Sequence, residues 1–362
     1  MADWKKSSLH ILVINPFGIG DVLFSTPLLR NIRNSFPDSF IAYLCNKRVA
    51  PLLENNPCID EIFVFEKDEW RALWKRSRFT FVKKFYLFLS RIRKRKFHIA
   101  IDLSLGRQYN FFLWLIRVPK RIGFDYKERG IFLTHKIKID GYHYKPVPAH
   151  YLELCRFLNI KPQQIKLEIH LDAREEEKAR QILKENGVIV GEDLIIGIAP
   201  GGGASWGKEA VLKHWKYDKL ANLLGRLRDL YKAKIIMFGD EKERAICDEI
   251  VAKTKDKPLN LAGKTDLRTL ASLMRQCRLI ICNDGGPLHM AVSLGVKTVS
   301  IFGPVNEKVY GPYPPSFEHI VVTKDVPCRP CYWKFRMPKC ERRICLEEIE
   351  PQEIMQAVRM LL

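Results

Sequence analysis

The stretch NDGGPLHMA, residues 283–291, puts a carboxylate, two glycines, a proline and an imidazole directly behind the apolar run RLIIC. Pro287 suits the first turn of a helix, where its missing N–H costs nothing. Gly285 and Gly286 leave backbone amides open ahead of that helix, and amides at a positive helix end favour an anion such as phosphate. Asp284 is badly placed for phosphate and well suited to accept hydrogen bonds from hydroxyls; its alternative role is an N-cap. His289, in the first turn, reaches the same ligand or packs as an ordinary helix histidine. A second glycine turn, APGGGASWGKEAVLKHW at 199–215, follows another apolar run. Gly202 to Lys208 fits G-x-x-x-x-G-K, but Glu209 stands where a P-loop needs a magnesium-binding hydroxyl, so that reading fails. What survives is a turn in which Lys208 and Lys213 could neutralise a diphosphate, with Ser205 as a further substrate contact.

A third loop, NPFGIGDVLFS, follows LHILVI near the N-terminus. It supplies Gly18 and Gly20, but Leu23 occupies the third glycine position of a dinucleotide fingerprint. No acid closes the second strand either, and NAD is rejected. Asp21 then stands at the start of a helix, able to take a proton from a substrate hydroxyl or simply to stabilise the helix dipole.

These loops need elements to hold them. Short β-branched runs alternate with helical periodicity throughout: LHILVI, FIAYLC, EIFVF, HIAIDL and KRIGF in the first half, then LIIGIA, KIIMFG, LNLAG, RLIIC and KTVSIFG in the second. Strands spaced by helices predict parallel sheets of βαβ units, α/β in class. The reading is two Rossmann-like, doubly wound domains facing across a cleft, 1–175 and 176–362, with the boundary in the charged helical stretch near 171–188. Ligands of such sheets bind beyond the carboxyl ends of the strands, which is where all three loops fall.

The 362 residues carry 61 Lys and Arg against 41 Asp and Glu, a net charge of +20. Residues 1–170 hold 30 of those bases and 15 of the acids, and residues 70–98 hold 11 bases and no acid. Such asymmetry points to an anionic partner for the first half. Between 70 and 98, aromatics and leucines interleave with the bases at helical spacing, as in a helix lying on an acidic membrane surface or one packed on the N-terminal sheet. The longest apolar runs, such as FFLWLI at 111–116, are too short to span a bilayer, and the chain is expected in the cytosol. Six of the ten cysteines sit at mostly apolar positions, as reduced thiols do. Cys328, Cys331, Cys340 and Cys345 instead make C-x2-C-x8-C-x4-C, a spacing that suggests a small structural zinc or iron site.

ILVINPFGIGDVLFSTPLLRNIR, IGIAPGGGASWGKEAVLKHW, the long block NLAGKTDLRTLASLMRQCRLIICNDGGPLHMAVSLGVKTVSIFGP and the late cysteines together resemble glycosyltransferase family nine, the ADP-heptose:lipopolysaccharide heptosyltransferases. The resemblance covers nearly the whole chain, and the third block is its most specific part. It implies a GT-B architecture, with an ADP-sugar held mainly by the C-terminal domain and a phosphorylated lipopolysaccharide acceptor by the N-terminal one. It further implies inversion at the anomeric centre and no catalytic metal or other cofactor. By motif it makes Asp21 the general base, Lys213 of KHW a diphosphate contact and Asp284 a sugar-hydroxyl ligand, with Gly285, Gly286 and His289 around the phosphates. The family usually has Ser or Thr at 285, so a side-chain phosphate contact is missing here. The segment between Gly203 and Lys213 is also longer than usual, which leaves Lys208 and Lys213 both as phosphate candidates. The expected setting is the inner face of the cytoplasmic membrane, peripheral to an anionic surface and without nucleic acid. The rival reading is a nucleic-acid- or anionic-lipid-binding protein on a transferase scaffold that has lost catalysis.

Overall fold

A computed structural model describes residues 9–202 and 204–362; the side chains of 204–206 and 208 lie outside the described set. The chain forms two compact units, Met1–Ile165 and Lys166–Leu362. In the first, β1 (His10–Ile14), β2 (Phe40–Cys45), β3 (Glu61–Val64), β4 (Ile99–Asp102), β5 (Lys120–Tyr126) and β6 (His135–Ile139) form one sheet in the order β3-β2-β1-β4-β5-β6. Every pairing is parallel. The second unit repeats the plan with β7 (Ile195–Ala199), β8 (Lys234–Met237), β9 (Leu259–Asn260), β10 (Leu279–Asn283), β11 (Lys297–Ile301) and β12 (His319–Val322). Its order, β12-β11-β10-β7-β8-β9, is the same winding read from the other edge, and it too is parallel throughout.

Each sheet is thus a Rossmann-like doubly wound sheet, as the alternation of runs predicts. The central strands are continuous apolar runs because helices cover both of their faces. Leu12 of β1 pairs with Ala42 and Ala100 on either side, and Ile281 of β10 lies between Ile198 and Val299. In this topology the strand order reverses between the first and fourth strands, opening a crevice at their carboxyl ends. Those ends are β1 and β4 in one unit, β7 and β10 in the other.

Helix Ala173–Glu185 belongs to the second unit. It opens with a capping box between Asp172 and Glu175, and Arg268 of helix Leu267–Arg275 pairs with Glu175 and donates to the His170 carbonyl at 2.8 Å. The basic region is two helices rather than one, Lys67–Arg76 and Arg78–Lys94, broken at Ser77, whose hydroxyl caps the Thr80 amide. Ile92 of the second helix is buried in the sheet's core and Phe88 packs against it, so this helix does have a face on the sheet. No helix among the described residues is long and apolar enough to cross a membrane.

Candidate functional site

In the second unit the two glycine turns leave neighbouring strands. The Asn283 side chain, at the end of β10, donates to the Pro200 carbonyl at 2.6 Å and reaches that of Gly201 at 3.5 Å, beyond the end of β7. This buried amide fastens the two loops to each other across the switch point. Gly202 and Gly285 then approach so closely that a Cβ on Gly285 would lie 3.5 Å from the Gly202 carbonyl oxygen, an ordinary contact. A Cβ on Gly202 would lie 2.5 Å from the Ala210 carbonyl oxygen, which no side chain tolerates. Gly285 is extended (φ 170°), a backbone open to any residue, and Gly286 is the first residue of helix Gly286–Ser293. Pro287 occupies the first turn of that helix, as expected.

Lys213 and Asp284 face each other: Nζ lies 2.8 Å from Oδ2, and the side chains are 2% and 6% exposed. The expected phosphate contact and the expected hydroxyl ligand are therefore one ion pair. His289 is buried beside them. Burial first, and the Lys213 charge second, push its imidazole down to about 3. At neutral pH it is an uncharged hydrogen-bonding group, not a counter-ion for phosphate.

The KHW motif is built to present that lysine. Trp215 is buried and donates from Nε1 to the Ile349 carbonyl at 3.1 Å. His214 shares a 2.9 Å hydrogen bond with the Tyr217 hydroxyl, and burial lowers its ring to about 4. Arg343 donates to the Val211 and His214 carbonyls at 3.0 and 3.3 Å. Ser205 and Lys208, expected in this turn, have side chains outside the described residues. An acid that motif reading passed over joins the same edge: Glu243, after β8, hangs over Gly201, where a Cβ would meet its Oε1 at 1.7 Å.

The first unit presents its loop at the end of β1. Gly18 is the N-cap of helix Ile19–Phe24, Gly20 and Asp21 lie in its first turn, and Asp21 is partly exposed. Asn15, fully buried, donates to the Asp21 carbonyl at 2.9 Å and accepts from the Phe17 amide. Asn46, at the end of β2, donates to the Phe17 carbonyl at 2.6 Å. Two asparagines thus fix the backbone that carries the carboxylate. Ser25 and Tyr43 share a buried 2.7 Å hydrogen bond beneath it. Asn15, Asn46 and Asn283 all carry one signal in the sequence: Asn immediately after a buried apolar run (LVIN, YLCN, IICN).

The four late cysteines do not meet the expectation of a structural zinc or iron. Cys328 and Cys340 are exposed, Cys331 is half-buried and Cys345 is buried. They lie near enough that the other three thiols help raise Cys345 to about 11, after burial as the main cause. Among the described residues, however, no group of three or more His, Cys, Asp or Glu is placed to hold a metal ion. Arginines fasten this segment instead. Arg329 donates to the Gly303 carbonyl at 2.7 Å and pairs with Glu307, while Arg343 grips the turn before Trp215.

Residues 86–340 match the family described as glycosyltransferase family 9 (heptosyltransferase). A lipooligosaccharide heptosyltransferase 2 of Campylobacter jejuni subsp. jejuni serotype O:6 is 30% identical, over 98% of this chain and 99% of its own. The lipopolysaccharide heptosyltransferase 2 of Salmonella typhimurium is 25% identical over 82% of this chain and 83% of its own. Among solved structures, a family 9 glycosyltransferase from Veillonella parvula superposes with a TM-score of 0.81 at 23% identity, covering 98% of this chain and 97% of that one. The E. coli ADP-heptose lipopolysaccharide heptosyltransferase II gives 0.77 at 21% identity, covering 98% of each.

Proposed function

This chain belongs to glycosyltransferase family 9, the heptosyltransferases, and on that premise we propose that it transfers a heptose-like sugar from an ADP-sugar to the inner core of lipopolysaccharide. The observation that carries the reading is the buried Lys213–Asp284 pair at the switch point, beside the coupled turns of Gly201–Gly202 and Asn283–Gly286. A diphosphate suits the amides of Gly285 and Gly286, the helix end and Lys213; sugar hydroxyls suit Asp284. Glu243 beside Gly201 would repel a phosphate and suits a ribose diol. With no hydroxyl at 285, the backbone amides take the contact that a side chain makes elsewhere in the family.

In the proposed reaction an acceptor hydroxyl oxygen bonds to the anomeric carbon as the bond from that carbon to the diphosphate oxygen breaks. The proton passes to Asp21, and ADP leaves with its new negative charge met by Lys213 and the helix amides. One displacement inverts the anomeric centre. The positive charge at the leaving group is the protein's own, so the step is written without a metal. The acceptor is anionic and lipid-borne, which gives the basic first half its role at the inner face of the cytoplasmic membrane. The rival reading, a binding protein on a silent scaffold, finds no support among relatives that are named as transferases.

The test is transfer to a heptose-deficient lipopolysaccharide in chelator, with the product's anomeric configuration read by NMR. Inverted product formed at undiminished rate supports the mechanism. Retained configuration, or a rate abolished by chelator and restored by a divalent cation, would overturn it.

A further inference from the structure

Helix Arg78–Lys94 is apolar on both sides. Phe81, Phe85 and Phe88 are partly covered and Ile92 is buried, at the i, i+4, i+7 and i+11 positions of an inward stripe. Phe79, Val82 and Tyr86, at i, i+3 and i+7, form an outward stripe and are 81%, 58% and 70% exposed. Trp74, on the preceding helix, and Trp114, on helix Arg107–Leu115, are also exposed. A run of ring contacts joins Trp74 to Trp114 through the inward stripe: Trp74–Phe81 at 5.0 Å, Phe81–Phe85 at 5.4 Å, Phe85–Phe112 at 5.1 Å, Phe112–Phe111 at 6.1 Å and Phe111–Trp114 at 5.7 Å. The two exposed tryptophans are therefore joined by one aromatic layer, and the outward stripe lies on the same helix as the inward rings of that layer. Apolar surface gathered in this way marks a contact surface.

Its charge says what kind. No acid occurs between residues 70 and 98. Of the nearby acids, Glu61, Asp68 and Glu69 are paired, with Arg91 and Arg95, Arg71, and Lys47 respectively, and Glu66 accepts from the Lys47 amide. Lys83 and Lys84, on the same helix as the outward stripe, have no carboxylate partner among the described residues. Arg78 lies over the Trp74 ring at 5.5 Å. A second copy of this face would set bases against bases, and a single-stranded nucleic acid would stack on Phe79 and Tyr86 but leave the exposed aliphatic Val82 and Leu87 in water. An anionic bilayer offers both an apolar layer and negative headgroups.

We propose that this aromatic face, formed by helices Lys67–Arg76, Arg78–Lys94 and Arg107–Leu115, docks the protein on an anionic bilayer. Phe79, Val82, Tyr86 and Trp74 enter the boundary between headgroups and acyl chains, and Lys83 and Lys84 meet the phosphates. The proposal rests on the reading that the acceptor is lipid-borne, and it names the surface that brings the protein to it.

The test is co-sedimentation of the full chain with vesicles of phosphatidylcholine, alone or mixed with phosphatidylglycerol, with no donor or acceptor present. Wild type should sediment with the mixed vesicles and release with salt. F79S/V82S/Y86S and, separately, K83E/K84E should each lower the partition coefficient by at least about tenfold. Both should keep the wild-type melting temperature and the rate of transfer to a water-soluble, lipid-free acceptor. Wild type ignoring anionic vesicles, both variants binding like wild type, or a dimer in solution that the apolar variant abolishes would each overturn the proposal. A wild type that binds vesicles but transfers no sugar would instead count against the proposed function.

Discussion

Changing Lys213 to methionine should damage the second unit twice, once in its fold and once in its ligand site, and a second substitution should separate the two effects. Nζ of Lys213 is 2.8 Å from Oδ2 of Asp284, with both side chains almost wholly buried. At an effective dielectric of about 20 the attraction is about 6 kcal/mol, before the cost of desolvating both charges. Removing one partner strands the other charge in the interior, at a cost of about 3–5 kcal/mol, while removing both is often close to neutral. K213M and D284N should therefore each be strongly destabilised, and K213M/D284N should recover most of the loss. The ligand site should not recover. The ammonium is the proposed charge on the donor diphosphate, so K213M and the double variant should both bind ADP more weakly, by about 1.5–3 kcal/mol. Calorimetric unfolding gives the first quantity and titration with ADP the second. Stabilities that add to within about 0.5 kcal/mol would refute the coupling. A double variant that regains ADP affinity would show that Lys213 serves the fold alone.

Asp21→Asn should lower turnover by about 10²–10⁴-fold, the usual value of a positioned base, with ADP affinity unchanged in the same titration. Gly202→Ala forces a methyl into the Ala210 carbonyl and should cost about 1–3 kcal/mol of stability by overpacking, with weaker ADP binding. Gly285→Ser meets only ordinary contacts and should bind ADP at least as well as wild type, adding a hydroxyl beside the phosphates. Acid should weaken the fold. His150, His214 and His289 are held down to about 4, 4 and 3, in each case chiefly by burial. Below about 6.5 the unfolded chain takes up protons that these rings refuse in the fold, so their contribution is fully present above that pH and lost as pH falls from 6.5 toward 4. One such histidine is worth about 2 kcal/mol between pH 6.5 and 5; urea midpoints should fall over that range, and fall less in His289→Gln.

The central strands were legible because strands covered on both faces read as unbroken apolar runs. Of the four edge strands, β3 and β9 were legible as EIFVF and LNLAG, and β6 and β12 were not. HKIKI of β6 gives alternate positions to lysine, and β12 is four residues behind a loop rich in proline. The loops that matter could be found from glycine and acid types at strand ends. Residue type could not reveal that Lys213 and Asp284 are partners, since 70 residues separate them and only the adjacency of β7 and β10 brings them together. Nor could it tell which glycine is sterically required: Gly202 is, under the Ala210 carbonyl, and Gly285 is not. Cysteine spacing suggested a metal because spacing is blind to Arg329 and Arg343, which hold that segment by hydrogen bonds to backbone carbonyls.

The central claim is heptosyl transfer, and the most direct measurement is mass spectrometry of a heptose-deficient lipopolysaccharide after incubation with this protein and a panel of sugar nucleotides. ADP-heptose should add one heptosyl residue per acceptor and release ADP, and UDP-sugars should add nothing. Acceptor left unmodified by ADP-heptose, or modified as readily by a UDP-sugar, would contradict the account.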